Sequence, residues 1–265
     1  MVPSRHVLVI GATGSIGRLV VDEALRQGHQ VRALVRDPRR ASRLPAAVQQ
    51  VVGDLTQPTT LRAAVAGINA IVFTHGADGA GKTGAEQVSY GGVRNVLLAL
   101  QGQVARIALM TAIGITHHDS AYNRSTHTHD WKRRSERLLR ASRLPYTIVR
   151  PGWFDYHRPD QLRLTLLQGD TRHAGDPSDG VVARAQIAQV LVHSLTSDHA
   201  VGKTFELVAE RGPAPQDLDA LLARLEPDAL ATLDGVRDNP GLPLAQEPTP
   251  VRADLLAMAP RITPA

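Results

Sequence analysis

Six short runs rich in valine and isoleucine, HVLVIG, HQVRALVR, VQQVVGD, NAIVFTH, RIALMTA and PYTIVRP, recur between residues 6 and 151, separated by segments of helical spacing. Each run is nearly continuous in apolar residues, which is how strands buried on both faces read. Parallel strands need long crossovers, and the spacers are long enough to be helices that make them. The pattern predicts an α/β fold, a doubly wound parallel sheet. In the first spacer Ile16, Val20 and Ala24 recur every fourth residue, and Gly28 supplies a C-cap signal. Further helices are expected near 58–66, 84–100, 129–142 and 183–195, and a late strand at TFELVAE, 204–210, so the fold closes near residue 212.

Nine of the seventeen prolines lie beyond that point, which marks 213–265 as a Pro-rich extension to a 1–212 domain. One helix at 215–226 is expected there, in otherwise extended or loosely ordered chain. The longest apolar runs fall far short of the roughly 20 residues that cross a bilayer, and MVPSRH lacks the long apolar region of a secretory signal. We expect a cytoplasmic protein with no membrane partner. The chain has no cysteine, which removes disulfides, thiolate metal sites and a cysteine nucleophile. Its net charge of +5 rests on scattered arginines with few aromatics, so the charge reads as solvated surface and no nucleic-acid partner is expected.

Two glycine-rich stretches imply different ligands. HGADGAGKTG, residues 75–84, fits the Walker A pattern with Gly76, Gly81, Lys82 and Thr83. GATGSIG, residues 11–17, follows the first strand and opens the first helix, where a dinucleotide fingerprint belongs. There Gly11 allows the tight turn, Gly14 lets a pyrophosphate approach the backbone, and Gly17 brings helix and strand together. Helix N-terminal amides then receive the phosphates. At the end of the second strand, where NAD-binding proteins carry an acidic residue, stands Arg36, with Arg39 and Arg40 close behind. A guanidinium pairs with the extra phosphate of NADP where a carboxylate repels it, so NADP(H) is expected over NAD(H).

The combination of GATGSIG, ALVRDPRR, VVGD, SYGGVRNVLLAL and PYTIVRPG resembles an atypical short-chain dehydrogenase/reductase over residues 6–211. Within that superfamily it is most similar to the NmrA-like and biliverdin reductase B-like branch. The resemblance implies a Rossmann domain, a small substrate-side region and a glycine-rich loop after the fourth strand that is not a phosphate cradle. It places Thr13, Ser15 and Ile16 with the fingerprint glycines, Asp54 and Leu55 at the adenine, and Thr74, His75 and Gly76 beside the ribose. Lys82 either closes over cofactor or substrate or stands on an exposed loop.

Such enzymes work with Ser, Tyr and Lys, the last two as Y-x-x-x-K. The matching segment here is THDWKRRSERLL, which puts Lys132 at the nicotinamide ribose, Thr128 in the tyrosine position and Thr111 in the serine position. A threonine holds its proton far more firmly than a phenol of pKa about 10. Three explanations stay open. His127 or His129 supplies the proton, the acceptor needs no positioned acid as with flavins and quinones, or the protein senses NADP(H) without turnover, as NmrA-like regulators do. An epimerase or dehydratase that keeps its cofactor is a further alternative. His117, His118, His127 and His129 share the polar segment HHDSAYNRSTHTHD, read as a mobile loop over the substrate pocket with no metal. Pro151 should run beneath the nicotinamide, and Trp153, Phe154 and Tyr156 are candidate substrate lining. The expected partner is a small-molecule substrate, and the assembly a monomer or homodimer.

Overall fold

The computed structural model describes residues 3–77, 81–230 and 232–259. Its strands are β1 (His6–Ile10), β2 (Gln30–Val35), β3 (Gln49–Val52), β4 (Ala70–Phe73), β5 (Arg106–Met110), β6 (Tyr146–Pro151), β7 (Trp153–Phe154), β8 (Arg163–Leu167), β9 (Val181–Val182) and β10 (Lys203–Glu210). The helices are α1 (Ser15–Arg26), α2 (Pro38–Ala41), α3 (Arg62–Val65), α4 (Gly81–Gly84), α5 (Gly91–Ala99), α6 (Ala121–Thr126), α7 (Thr128–Ala141), α8 (Arg184–His193), α9 (Leu218–Leu222) and α10 (Thr249–Met258).

The sheet runs β3-β2-β1-β4-β5-β6-β10, with every one of these neighbours parallel, and β8 and β9 add antiparallel to β10. This is the doubly wound order, in which the chain reverses direction across the sheet between β1 and β4. Side chains alternate faces along each strand. Val7 and Val9 of β1 face the core under α1 and α8, whereas Leu8 and Ile10 face the core under α5, α7 and α10. Gly28 closes α1 in the left-handed region at φ 81°. Among the described residues no helix is long and apolar enough to cross a membrane.

The tail corrects two expectations. Residues 213–259 include α9 and α10, and between them the described residues are mostly irregular, with a 3-10 turn at Leu244–Gln246, and are tied down by charge. Arg133, Arg134, Arg137 and Arg140 of α7 are all buried, not solvated. Arg133 and Arg137 pair with Asp234 at 3.1 and 2.8 Å, Arg134 and Arg137 with Glu247 at 2.6 Å each, and Arg140 with Asp228 at 3.0 Å. Arg150 of β6 joins Glu136, Glu206 and Asp238. Burial pushes Glu206 up to about 8 against the pull of Arg150, so it holds its proton at neutral pH. The tail is thus the counter-ion of α7, and the helix has no free arginine face. Further along, α10 docks on the turn before α5, where Tyr90 donates to Asp254 at 2.9 Å and Arg94 pairs with the same carboxylate.

The histidine segment, expected as a loop, instead carries α6 and the first turn of α7 and is tied by side-chain hydrogen bonds. Asn123 of α6, 1% exposed, accepts from the amides of His129 and Asp130 and so caps the first turn of α7. Its amide nitrogen donates to the His118 carbonyl and to Asp130, which also takes a bond from the His118 ring.

Candidate functional site

At the C-terminal ends of β1 to β4 the chain builds a groove of about 520 Å³. Gly11 turns the chain after β1 at φ 89°, and a Cβ there would lie 2.8 Å from the His75 amide nitrogen and from the Thr74 hydroxyl. Gly14 donates to the Gly11 carbonyl at 2.9 Å and caps α1 without any side-chain acceptor, and the first turn of the helix carries no acidic residue. An uncapped N-terminus with its partial positive charge suits an anion. Ser15 is exposed at that turn, whereas the Ile16 side chain is buried in the core, which leaves its backbone alone to face a ligand.

Gly11, Thr13 and Gly14 after β1, Arg36 after β2, Asp54 and Leu55 after β3, and Thr74, His75 and Gly76 after β4 all line the groove. Ile10, Leu34, Val35, Asp37, Arg40, Gly53, Thr56 and Val88 complete the lining. Asp37 accepts from the Arg39 amide and caps α2, and of the two arginines behind Arg36 only Arg40 reaches the groove. The Asp54 carboxylate accepts from the amide and hydroxyl of Thr56 at 2.8 Å each. Asn95 of α5 donates to the Leu55 carbonyl at 2.7 Å, and a Cβ on Gly92 would sit 3.1 Å from the Leu55 side chain and 3.2 Å from the His75 ring. These two residues belong to the quoted GGVRN stretch, which carried no role of its own in the sequence reading.

His75 tests whether the groove fits a dinucleotide. Its Nε2 bonds the Val88 carbonyl at 3.0 Å, which fixes that nitrogen as the donor. Burial pushes its pKa down to about 4, helped by the positive charge of Lys132, so the ring is neutral. The remaining Nδ1 is then a buried acceptor with no partner among the described residues. Such an atom calls for a donor from a ligand, and a ribose hydroxyl is one. Val88 is presented by a π-helical turn, Ala85–Tyr90, of the kind that often marks functional sites. In the Walker-like stretch, Asp78, Gly79 and Ala80 lie outside the described residues, and Lys82 is exposed on α4.

A second group of candidates gathers around α7. Lys132 is half-buried, and its charge acts on both His75 and His129, so it lies near both rings. Glu136, one turn further on, is fully buried and accepts the Thr111 hydroxyl at 2.7 Å. This corrects the role given to Thr111, because its proton is committed to a carboxylate. Burial, and next Lys132, push His129 down to about 4, so it is not the near-neutral acid its residue type suggested. His127 is exposed at φ 56°, and Thr128 only opens the helix. Among the described residues no cluster of three or more His, Asp or Glu is placed to hold a metal.

Pro151 is buried at the end of β6. Of the aromatic candidates, Trp153 and Tyr156 form an exposed edge-on pair with centroids 6.1 Å apart. Phe154 points to the opposite side of β7, is partly buried against the core and carries the Arg184 guanidinium 4.7 Å above its ring.

A family model described as NAD(P)H-binding matches residues 11–198. The photosystem II assembly factor Ycf39 of Cyanophora paradoxa is 30% identical over 223 residues, which cover 83% of this chain and 68% of that protein. The uncharacterized sugar epimerase YhfK of Bacillus subtilis strain 168 is 29% identical, over 81% of this chain and 99% of its own length. Sanguinarine reductase of Eschscholzia californica is 26% identical, over 83% and 95%. Among solved structures, a wide-type short-chain dehydrogenase/reductase of Veillonella parvula DSM 2008 in complex with NADP superposes with a TM-score of 0.60 at 17% identity. That match covers 81% of this chain and all of the other, and at such identity it speaks for the fold alone.

Proposed function

The chain belongs to the NAD(P)H-binding family, and from that premise we propose that it is an NADP(H)-dependent oxidoreductase of the atypical short-chain type. Its substrate would be a small conjugated acceptor of quinone, flavin or carbonyl kind. The observation that carries the choice of cofactor is the pair Arg36 and Arg40, which line the same groove as the fingerprint glycines. Two guanidiniums there suit the phosphate that distinguishes NADP from NAD. The backbone of Gly11 to Gly17 would receive the pyrophosphate, Asp54 and Leu55 the adenine, and the unpartnered His75 Nδ1 a ribose hydroxyl.

When bound, the reduced nicotinamide supplies hydride. Lys132 would hold the adjoining ribose, and Pro151 would lie beneath the ring. The described residues here provide no strong acid, since Thr128 replaces tyrosine, Thr111 gives its proton to Glu136 and His129 is neutral. A carbonyl reduced to an alkoxide needs a positioned acid, whereas a reduced quinone or flavin is a weaker base and draws its proton from water. The site therefore favours quinones and flavins over aldehydes and ketones. A relative named as a sanguinarine reductase supports reduction of a flat, conjugated molecule.

The same lack of an acid also suits a redox sensor that binds NADP(H) without turnover, the second reading. The relative described as a sugar epimerase keeps a third reading in view. Purified protein should consume NADPH, seen as loss of its absorbance, when quinones or flavins are supplied. Clear NADPH binding with no turnover across such a panel would overturn the enzyme in favour of the sensor, and a changed sugar with no net NADPH loss would favour the epimerase.

A further inference from the structure

A continuous line of buried charged groups joins the C-terminal tail to the tip of β5. Asp238 takes two bonds from the Arg150 guanidinium, each 2.7 Å. Arg150 in turn grips Glu136 with Nε at 3.1 Å and a terminal nitrogen at 2.7 Å. Glu136 accepts the Thr111 hydroxyl at 2.7 Å. The side chains of Arg150 and Glu136 are 0% exposed and that of Asp238 is 1% exposed, so water does not loosen the line. Forked guanidinium–carboxylate pairs fix angle as well as distance.

The near end of this line is the region that the proposed reaction uses. Glu136 lies four residues after Lys132, on the same face of α7, so whatever holds Glu136 sets the rotation and height of Lys132. Held on the other side by Thr111, Glu136 also fixes the end of β5 against the helix. The far end, Asp238, sits in a stretch without regular structure and is itself braced by the Gly235 amide at 2.9 Å. Neither Asp238 nor Arg150 lines the cofactor groove.

We propose that Asp238 is a positioning residue for hydride transfer, acting through Arg150 and Glu136 on Lys132 and Thr111. The tail is then a working wall of the reaction site and not only a cover for α7. This inference rests on the oxidoreductase reading above. A one-ångström misplacement far from the chemistry costs a large factor in rate while leaving distant binding intact.

The test compares Asp238→Asn with Asp234→Asn in the full chain, using NADPH and a quinone or flavin acceptor that the unmutated protein turns over. Asp234 holds the outer side of the same helix through Arg133 and Arg137 and touches no member of the line. Both variants should melt at a lower temperature. Asp238→Asn should lower kcat by about tenfold or more with NADPH affinity within about twofold, whereas Asp234→Asn should keep kcat within about twofold. Equal losses of kcat in the two variants, or an unchanged kcat in folded Asp238→Asn, would overturn the inference and leave the cofactor and reaction assignments standing. If Asp238→Asn does not fold, Asp238→Glu is judged by the same criteria. Absence of turnover in the unmutated protein is a failure of the oxidoreductase reading itself, and the inference falls with it.

Discussion

A Cβ built on Gly17 would lie 1.9 Å from the carbonyl oxygen of Gly11. The neighbour is backbone, so it cannot rotate away, and any side chain at 17 must push α1 off the loop that opens it. Gly17→Ala should therefore cost about 1–3 kcal/mol in a urea melt. Calorimetry should show NADPH affinity falling by more than about tenfold, because the displaced helix end is the expected pyrophosphate seat.

Arg36 and Arg40 reach the groove and Arg39 does not. Charge-assisted hydrogen bonds are worth about 1.5–3 kcal/mol, so Arg36→Ala or Arg40→Ala should weaken NADP(H) by about 10- to 100-fold. NAD(H) binding should stay within about twofold, and Arg39→Ala should change neither. Parallel titrations of the two nucleotides check this, and equal losses for both would mean that these arginines do not read the phosphate.

Removing residues 213–265 should prevent folding. The cut would leave Arg133, Arg134, Arg137, Arg140 and Arg150 without Asp228, Asp234, Asp238 and Glu247. Each broken buried pair costs about 3–5 kcal/mol, against a total stability of about 5–15 kcal/mol. A truncated chain showing a cooperative circular-dichroism melt would refute the prediction.

Stability should peak near pH 6.5. Burial lowers His75 and His129 to about 4, so the unfolded chain binds more protons than the folded one between about 4 and 6.5, and stability rises with pH there. Glu206 is raised to about 8, so the folded chain binds the extra proton between about 4.5 and 8, and stability falls as pH rises through that range. Above 6.5 only the second effect remains. Urea midpoints should therefore fall between pH 6.5 and 8.5, and Glu206→Gln should flatten that fall.

Most of the sheet was legible in the sequence because its central parallel strands bury both faces and advertise it as apolar runs, whereas the edge strand β3 is largely exposed. Much of the groove was legible for a related reason. A parallel sheet brings all its strand ends to one edge, so Gly11, Arg36, Asp54 and Thr74, each just past a strand, had to converge. Asn95 and Gly92 were missed because their contacts, the Leu55 carbonyl and the His75 ring, leave no local pattern. The arginines of α7 were misread as solvated for a stronger form of the same reason. Arg137 looks like any surface cation until Asp234 and Glu247, about a hundred residues on, are folded against it. Nor does HHDSAYNRSTHTHD announce that Asn123 will bridge two helices.

The charged seam between α7 and the tail also bears on how such a chain can change over generations. Arg137 answers to Asp234 and Glu247 together, and Arg150 to Glu136, Glu206 and Asp238, so exchanging one member strands another inside the protein. Viable drift along this seam must come in matched steps, and recombination that separates residues 133–150 from the last fifth of the chain should yield mostly dead offspring.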